Sequence, residues 1–256
     1  MPAHSTDHEP ENPAQSPADP EAEAIARSLA AIRTRIRAAA ESAGRDADEI
    51  RLLPVSKTVS EQRLRHAVAA GCTELGENKV QEAARKAEAL SDLPIRWSVI
   101  GHLQRNKAKD VAAFAHEFQA LDSLRLAEAL QRRLEPLERR LEVYVQVNTS
   151  GEDSKSGVHP EQTLELLQGL TAFEHLEVRG LMTIAEASED DERVRGCFRS
   201  LRELRDRARE TDPALIGPGH LSMGMSGDLE AAVEEGSTCV RIGRAVFGER
   251  PAQTGG

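Results

Sequence analysis

Aromatic side chains are scarce in this 256-residue chain, which has five Phe, one Tyr and one Trp. So few rings give no stacking platform for single-stranded nucleic acid, and a net charge of −10 argues against a polyanion as the main partner. Cysteine is equally sparse. Cys72, Cys197 and Cys239 form no CxxC pair, so neither a disulfide framework nor a zinc site is indicated, and a reducing, cytoplasmic setting is expected. No uncharged stretch approaches the ~18 residues of a transmembrane helix. The opening MPAHSTDHEPENP lacks the basic start and apolar run of a secretory signal. GxGxxG, GxSxG, HExxH and HxH are also missing, which argues against a dinucleotide-binding sheet, a serine-hydrolase elbow and a histidine metal site.

Lys and Arg are absent from the first 24 positions, which hold six of the acids and leave a net −4 for the rest. Residues 1–20 carry five prolines among Ser, Asp, Glu and Asn, a composition that cannot bury enough surface to offset its ordering entropy. A disordered tail is expected at 1–20, a short flexible tail at 251–256, and a single folded domain over 21–250.

That domain alternates. An amphipathic helix over 22–42 places Ile25, Leu29, Ile32 and Ile36 at helical spacing and stops at Gly44. Eight short β-like runs then alternate with helical ones: Arg51–Ser56, Thr73–Leu75, Arg96–Ile100, Glu117–Leu121, Glu142–Asn148, Val178–Met182, His220–Met223 and Thr238–Ile242. Among the helical runs, 123–140 places Leu124, Ala127, Leu130, Leu134, Leu137 and Leu141 on one face, and the Arg-rich run 189–209 reads as a solvated helix over an apolar stripe. Eight parallel strands without a glycine-rich first turn predict a closed (β/α)8 TIM barrel of class α/β. No helix-length segment follows the eighth strand, so the extra N-terminal helix is expected to fill that outer position.

The ends of these strands are polar almost throughout, and in a barrel they converge on one mouth where active sites are built. Lys57 ends the first. A strand-terminal lysine is most often a solvated loop residue, but one aimed into a barrel mouth becomes nucleophilic toward carbonyls as it is desolvated. That chemistry suits both a pyridoxal phosphate protein and an aldolase. The seventh and eighth ends, Ser222-Met-Gly-Met-Ser226 and Arg241-Ile-Gly-Arg244, carry glycines that let backbone N–H groups approach an anion, and many barrels hold phosphate there. Cys72 and Cys239 lie in apolar runs and read as core thiols.

Specific motifs then add a resemblance. Leu53-Pro-Val-Ser-Lys57, Gly76-Glu-Asn78 with Gln81-Glu82, Ile100-Gly-His-Leu-Gln104 with Asn106-Lys107, Val147-Asn148 through Lys155-Ser156-Gly157, Gly180-Leu-Met182, Leu221-Ser-Met-Gly-Met-Ser226, Val240-Arg-Ile-Gly243 and Phe247-Gly248 occur in order over residues 22–250. In these the chain resembles the pyridoxal phosphate homeostasis (YggS/PROSC) family, single-domain relatives of the alanine racemase N-terminal barrel, of PLP fold type III.

The resemblance implies pyridoxal 5′-phosphate held as a Schiff base on Lys57. It implies a phosphate seat of Ser222, Met223, Ser226, Gly243 and Arg244, with Arg241 facing the pyridine nitrogen. Asn78 would lie beside the ring, His102 and Met182 on the pocket wall, and Lys155 near the entrance. An arginine offers no acceptor for a proton on the ring nitrogen, so that nitrogen would stay unprotonated and carbanion chemistry would be weakened. The related racemases draw a tyrosine from a C-terminal β-domain; here the chain ends nine residues after Phe247, and its single tyrosine, Tyr144, falls in the fifth strand. The implied function is a carrier acting in intracellular pyridoxal phosphate homeostasis with little or no turnover, as a monomer. It would meet apoenzymes transiently and bind neither nucleic acid nor membrane. An amino-acid racemase or decarboxylase on the same barrel is one alternative, and a cofactor-sensing module that regulates a partner protein is another. Two positions depart from the family pattern. Trp97-Ser98-Val99 replaces an aromatic-His-aromatic run, and Arg244 replaces a small hydroxyl residue.

Overall fold

A computed structural model describes residues 19–152 and 155–248. The expected tails at 1–20 and 251–256 lie outside the described residues, apart from Asp19 and Pro20. Those two start helix α1 (Pro20–Ser42): the Asp19 carboxylate accepts the N–H of Glu21 at 3.0 Å, and Pro20 supplies a preset φ in the first turn. The helix ends before Gly44, whose φ of +64° suits its lack of a side chain.

Eight parallel strands follow: β1 (Arg51–Pro54), β2 (Glu74–Glu77), β3 (Arg96–Val99), β4 (Glu117–Leu121), β5 (Leu141–Gln146), β6 (Leu176–Met182), β7 (His220–Ser222) and β8 (Cys239–Ile242). They pair in the order β1-β8-β7-β6-β5-β4-β3-β2, and a parallel bridge from Val55 to Gly76 joins the two ends of that order into a ring. Between them run α2 (Glu61–Ala69), α3 (Val80–Ala89), α4 (Ala108–Phe114), α5 (Leu124–Leu134), α6 (Thr163–Leu170), α7 (Asp191–Thr211) and α8 (Leu229–Glu234), with the single turn α9 (Arg244–Phe247) after β8. The expected barrel and its eight strands are present. No described helix is long and apolar enough to cross a membrane.

Helix α1 fills the outer position that α9 is too short to cover. Its buried stripe of Ile25, Leu29, Ile32 and Ile36 packs against α2, α8 and α9. Side-chain ties hold it at both sides, Asp19 to His66 on α2 and Arg35 to Glu230 on α8, the latter through two bonds of 2.7 and 2.8 Å.

One expected helix is shorter than the sequence pattern suggests. The run 123–140 breaks after Leu134, where Pro136 removes a backbone donor, and a 3₁₀ turn ends at the left-handed Glu138 with φ +51°. Leu137 is therefore 49% exposed rather than on the buried face, Leu124 is 41% exposed, and Leu141 belongs to β5. In α7, by contrast, Val194, Cys197, Phe198, Leu201 and Leu204 are buried as the spacing implied.

The barrel interior is polar. Arg51 of β1 donates at 2.8 Å to Glu117 of β4, which also accepts from Ser98 at 2.8 Å and Gln119 at 2.7 Å. Gln119 accepts from Ser222 of β7 at 2.7 Å, and Ser222 accepts from Arg241 of β8 at 2.8 Å. The bond between β4 and β7, strands that are not neighbours, crosses the barrel. Burial works to raise the Glu117 carboxyl, but Arg51 and the bonds from Gln119 and Ser98 override it and hold it below the usual carboxylate range.

Candidate functional site

The mouth of the barrel holds a cavity of about 1580 Å³. Lys57 lines it from the turn after β1, half-buried, and its amine has no hydrogen-bond or ion-pair partner among the described residues. Thr58, the next residue, has a φ of +65°, and a β-branched residue in that region costs about 1–3 kcal/mol.

Beneath the turn lies a buried charge cluster. The Lys86 ammonium, 0% exposed, donates to Glu77 at 2.6 Å, Glu82 at 2.7 Å and the Ser56 carbonyl at 2.7 Å. The Ser56 hydroxyl donates to Glu77 Oε1 at 2.7 Å, whereas Glu77 Oε2 is buried without a partner. Burial pushes the Glu77 carboxyl above its ordinary range, outweighing Lys86 and Ser56. For Glu82 the balance reverses: burial works to raise it, but bonds from Lys86 and the Thr58 N–H bring it below that range.

Asn78 and His102 line the next part of the wall, after β2 and β3. Their loops touch so closely that a Cβ on Gly101 would sit 2.1 Å from the Asn78 carbonyl, so this position requires glycine. His102 Nδ1 lies 3.6 Å from an Asp122 carboxylate oxygen. Asn148, also on the wall, donates to the Glu152 carbonyl at 2.9 Å, and Lys155, on the same wall, donates to the Ala185 carbonyl at 3.2 Å.

Arg241 reaches the cavity from β8 at 4% exposure. Its two terminal nitrogens donate to Ser222 Oγ and to the Thr183 carbonyl, each at 2.8 Å, and no carboxylate pairs with it among the described residues. Burial lowers its pKa from the usual guanidinium value, with Cys239 and Asp228 acting the other way; it stays a buried cation without a counter-charge. Ser226, Gly243 and Arg244 line the cavity as well. The N–H groups of Gly243, Arg244 and Ala245 have no acceptor among the described residues.

The structure thus brings together Lys57, Asn78, His102, Ser226, Arg241, Gly243 and Arg244, with Lys155 at the same wall. It does not bring Met182, Ser222 or Met223 to the cavity; all three are 0% exposed. Met182 and Met223 join the apolar core cluster that includes Leu181 and Phe198, and the Ser222 hydroxyl is committed between Gln119 and Arg241. Sequence reasoning did not single out Thr58 or Lys86 and attached no role to Glu77, Glu82 or Gln119. The spacing of Glu82 and Lys86, four apart on a helix, was a readable sign of a pair but not of its burial.

Fold and mouth define a barrel of the alanine racemase N-terminal domain class, and the family model of that domain matches residues 28–251. A pyridoxal phosphate homeostasis protein of Aquifex aeolicus is 45% identical over 213 residues, 83% of this chain and 92% of its own length. A solved protein of Bifidobacterium adolescentis, described only as unknown, superposes with TM-score 0.84 at 35% identity, covering 91% of this chain and 98% of that one. PipY of Synechococcus elongatus, solved with PLP bound, superposes with TM-score 0.77 at 32% identity, covering 88% and 100%. The chain belongs to the pyridoxal phosphate homeostasis protein family.

Proposed function

We propose that this barrel binds pyridoxal 5′-phosphate at its mouth and acts in the homeostasis of that cofactor, holding it on Lys57 as a Schiff base and handing it on rather than using it in turnover. When bound, the cofactor supplies an aldehyde that condenses with a primary amine and releases water. The residues present fit such a group. Lys57 offers an amine free of other partners, Arg241 offers a buried cation with no carboxylate beside it, and the turns at Ser226 and Gly243–Ala245 offer a hydroxyl and open N–H groups to a phosphate. The observation that carries the reading is the convergence of Lys57 and the unpaired Arg241 on one cavity. At about 1580 Å³, that cavity leaves room for an incoming amine beside the cofactor.

In this reading Ser222 acts through Arg241 rather than on the phosphate. Arg241 would face the ring nitrogen as a donor that cannot accept a proton, an arrangement that would disfavour carbanion chemistry. Tyr144, 3% exposed within β5, is away from the cavity wall and offers no proton acceptor there. The names of relatives as homeostasis proteins support the same view. We read the folded unit as one domain over 21–250, a cytoplasmic monomer that meets apoenzymes transiently.

The test is the absorbance spectrum of the purified protein with added pyridoxal phosphate, beside Lys57→Ala. A Schiff-base band in the wild type, removed by borohydride and absent from the variant, is expected; no band in the wild type overturns the reading. A second reading, amino-acid racemisation or decarboxylation, has one observation in its favour: His102 beside Asp122 on the cavity wall, a pair suited to moving a proton. Turnover of an L-amino acid at roughly 1 per second or faster, lost in His102→Gln, would establish it in place of the carrier.

A further inference from the structure

The turn that presents Lys57 is held from outside itself. The Val59 N–H donates to the Ser56 carbonyl at 3.0 Å, so residues 56–59 form a β-turn with Lys57 and Thr58 at its corners. A left-handed third residue is the geometry of a type II turn, where glycine is usual. Nothing within the turn favours threonine there.

Helix α3 supplies what the turn lacks. Glu82 Oε1 accepts the Thr58 N–H at 2.8 Å, and Lys86 Nζ donates to the Ser56 carbonyl at 2.7 Å, so both the first and the third residue are tied to the same helix. The ties are linked, because that Glu82 oxygen also accepts from Lys86 at 2.7 Å. With Glu77 as its third acceptor, Lys86 has no proton left for a ligand, and it does not line the cavity. A fully buried lysine, all of whose donors go to one turn and the carboxylates around it, is placed to fix that turn.

We propose that Glu82 and Lys86 are positioning residues that clamp the Ser56–Val59 turn and aim the Lys57 amine into the cavity. The proposal rests on the reading of Lys57 as the cofactor lysine. Its scope is the geometry of one amine, and neither clamp residue lines the cavity.

Two measurements on the full chain test it. Hydrogen–deuterium exchange without added cofactor reads the turn alone. Glu82→Ala, which keeps a good helix former on α3, is expected to speed exchange at the Thr58 and Val59 amides by about tenfold or more while β2 and α4 keep their protection. Titration with pyridoxal phosphate, followed by the Schiff-base band, is expected to show apparent affinity weakened about tenfold or more, since a misplaced reacting group loses that much readily. Glu82→Gln retains an acceptor for Thr58 and should fall between Glu82→Ala and wild type. Thr58→Gly in the Glu82→Ala background should recover part of the affinity, because glycine takes a positive φ without strain. Unchanged exchange at residues 58 and 59 in folded Glu82→Ala overturns the clamp, and so does affinity within twofold of wild type. A wild type that forms no band, or a Lys57→Ala that still forms it, overturns the cofactor reading instead and leaves the exchange result to decide the clamp.

Discussion

The two sides of the mouth are built on opposite plans. On the lysine side, the turn after β1 is fastened by charged side chains: Lys86 and Glu82 grip it from α3, and Glu77 completes a buried cluster. On the glycine side, the turns after β7 and β8 are fastened mainly by the backbone and by neutral hydroxyls, with single bonds from Arg35 to the Ser226 carbonyl and from the Met225 N–H to Asp228 at the outer edge. The Arg241 N–H donates to the Gly224 carbonyl at 3.0 Å, and Ser237 Oγ donates to the Met223 carbonyl at 2.7 Å. The difference follows from what each side must present. A reactive amine needs a fixed position, and charge-assisted bonds give it. An anion seat needs unsatisfied N–H groups, so its own support has to come from elsewhere.

Breaking the charged side should cost most. Lys86→Met strands two carboxylates, one fully buried, and is expected to lower stability by about 3–5 kcal/mol, read as a fall in the urea midpoint. On the other side, Gly224→Ala places a Cβ 2.5 Å from that of Ala232 at a φ of +96°, and a loss of about 2 kcal/mol in the same assay is expected. Ser237→Ala removes one neutral hydroxyl from three carbonyls and should cost about 1 kcal/mol, measured by thermal unfolding.

The finest test uses pH. The folded pKa of Glu77 lies above the ordinary carboxyl value of 4.5, so its ionisation costs nothing below that value and opposes folding as the pH rises through the folded one. Glu77→Gln keeps an oxygen for Ser56 and Lys86 and removes that cost. Neutral-pH stability should therefore change by less than about 1 kcal/mol, and the variant's stability should decline less than wild type as the pH rises above 4.5. A steeper decline in the variant would show that the Glu77–Lys86 pair outweighs its desolvation.

The same contrast marks what the sequence disclosed. Strands buried on both faces read as short apolar runs, and their polar ends located the mouth, so Lys57, Asn78, Arg241 and Gly243 were all legible as candidates. The facing of individual residues was not. Ser222 turns inward to Gln119 while Met223, one residue on, turns outward into the core, and strand ends give position without parity. Leu137 misled because helical spacing continued past Pro136 although the helix did not. Lys86 was hidden for a different reason: a Glu and a Lys four apart usually decorate a solvated helix, and only the packing of α3 against β2 and β3, beneath the turn after β1, converts the pair into a buried clamp.

Helix α1 carries a consequence for how the chain is made. Its apolar stripe is synthesised ahead of every barrel strand, yet much of its cover, α8 and α9, comes from residues 229–247. A surface made before the barrel is thus fully shielded only after it, and Ile25, Leu29, Ile32 and Ile36 await a seat that is incomplete until α8 and α9 are made. A nascent chain stalled before α8 should present this stripe to chaperones, and closing the ring and docking the helix become a single late event.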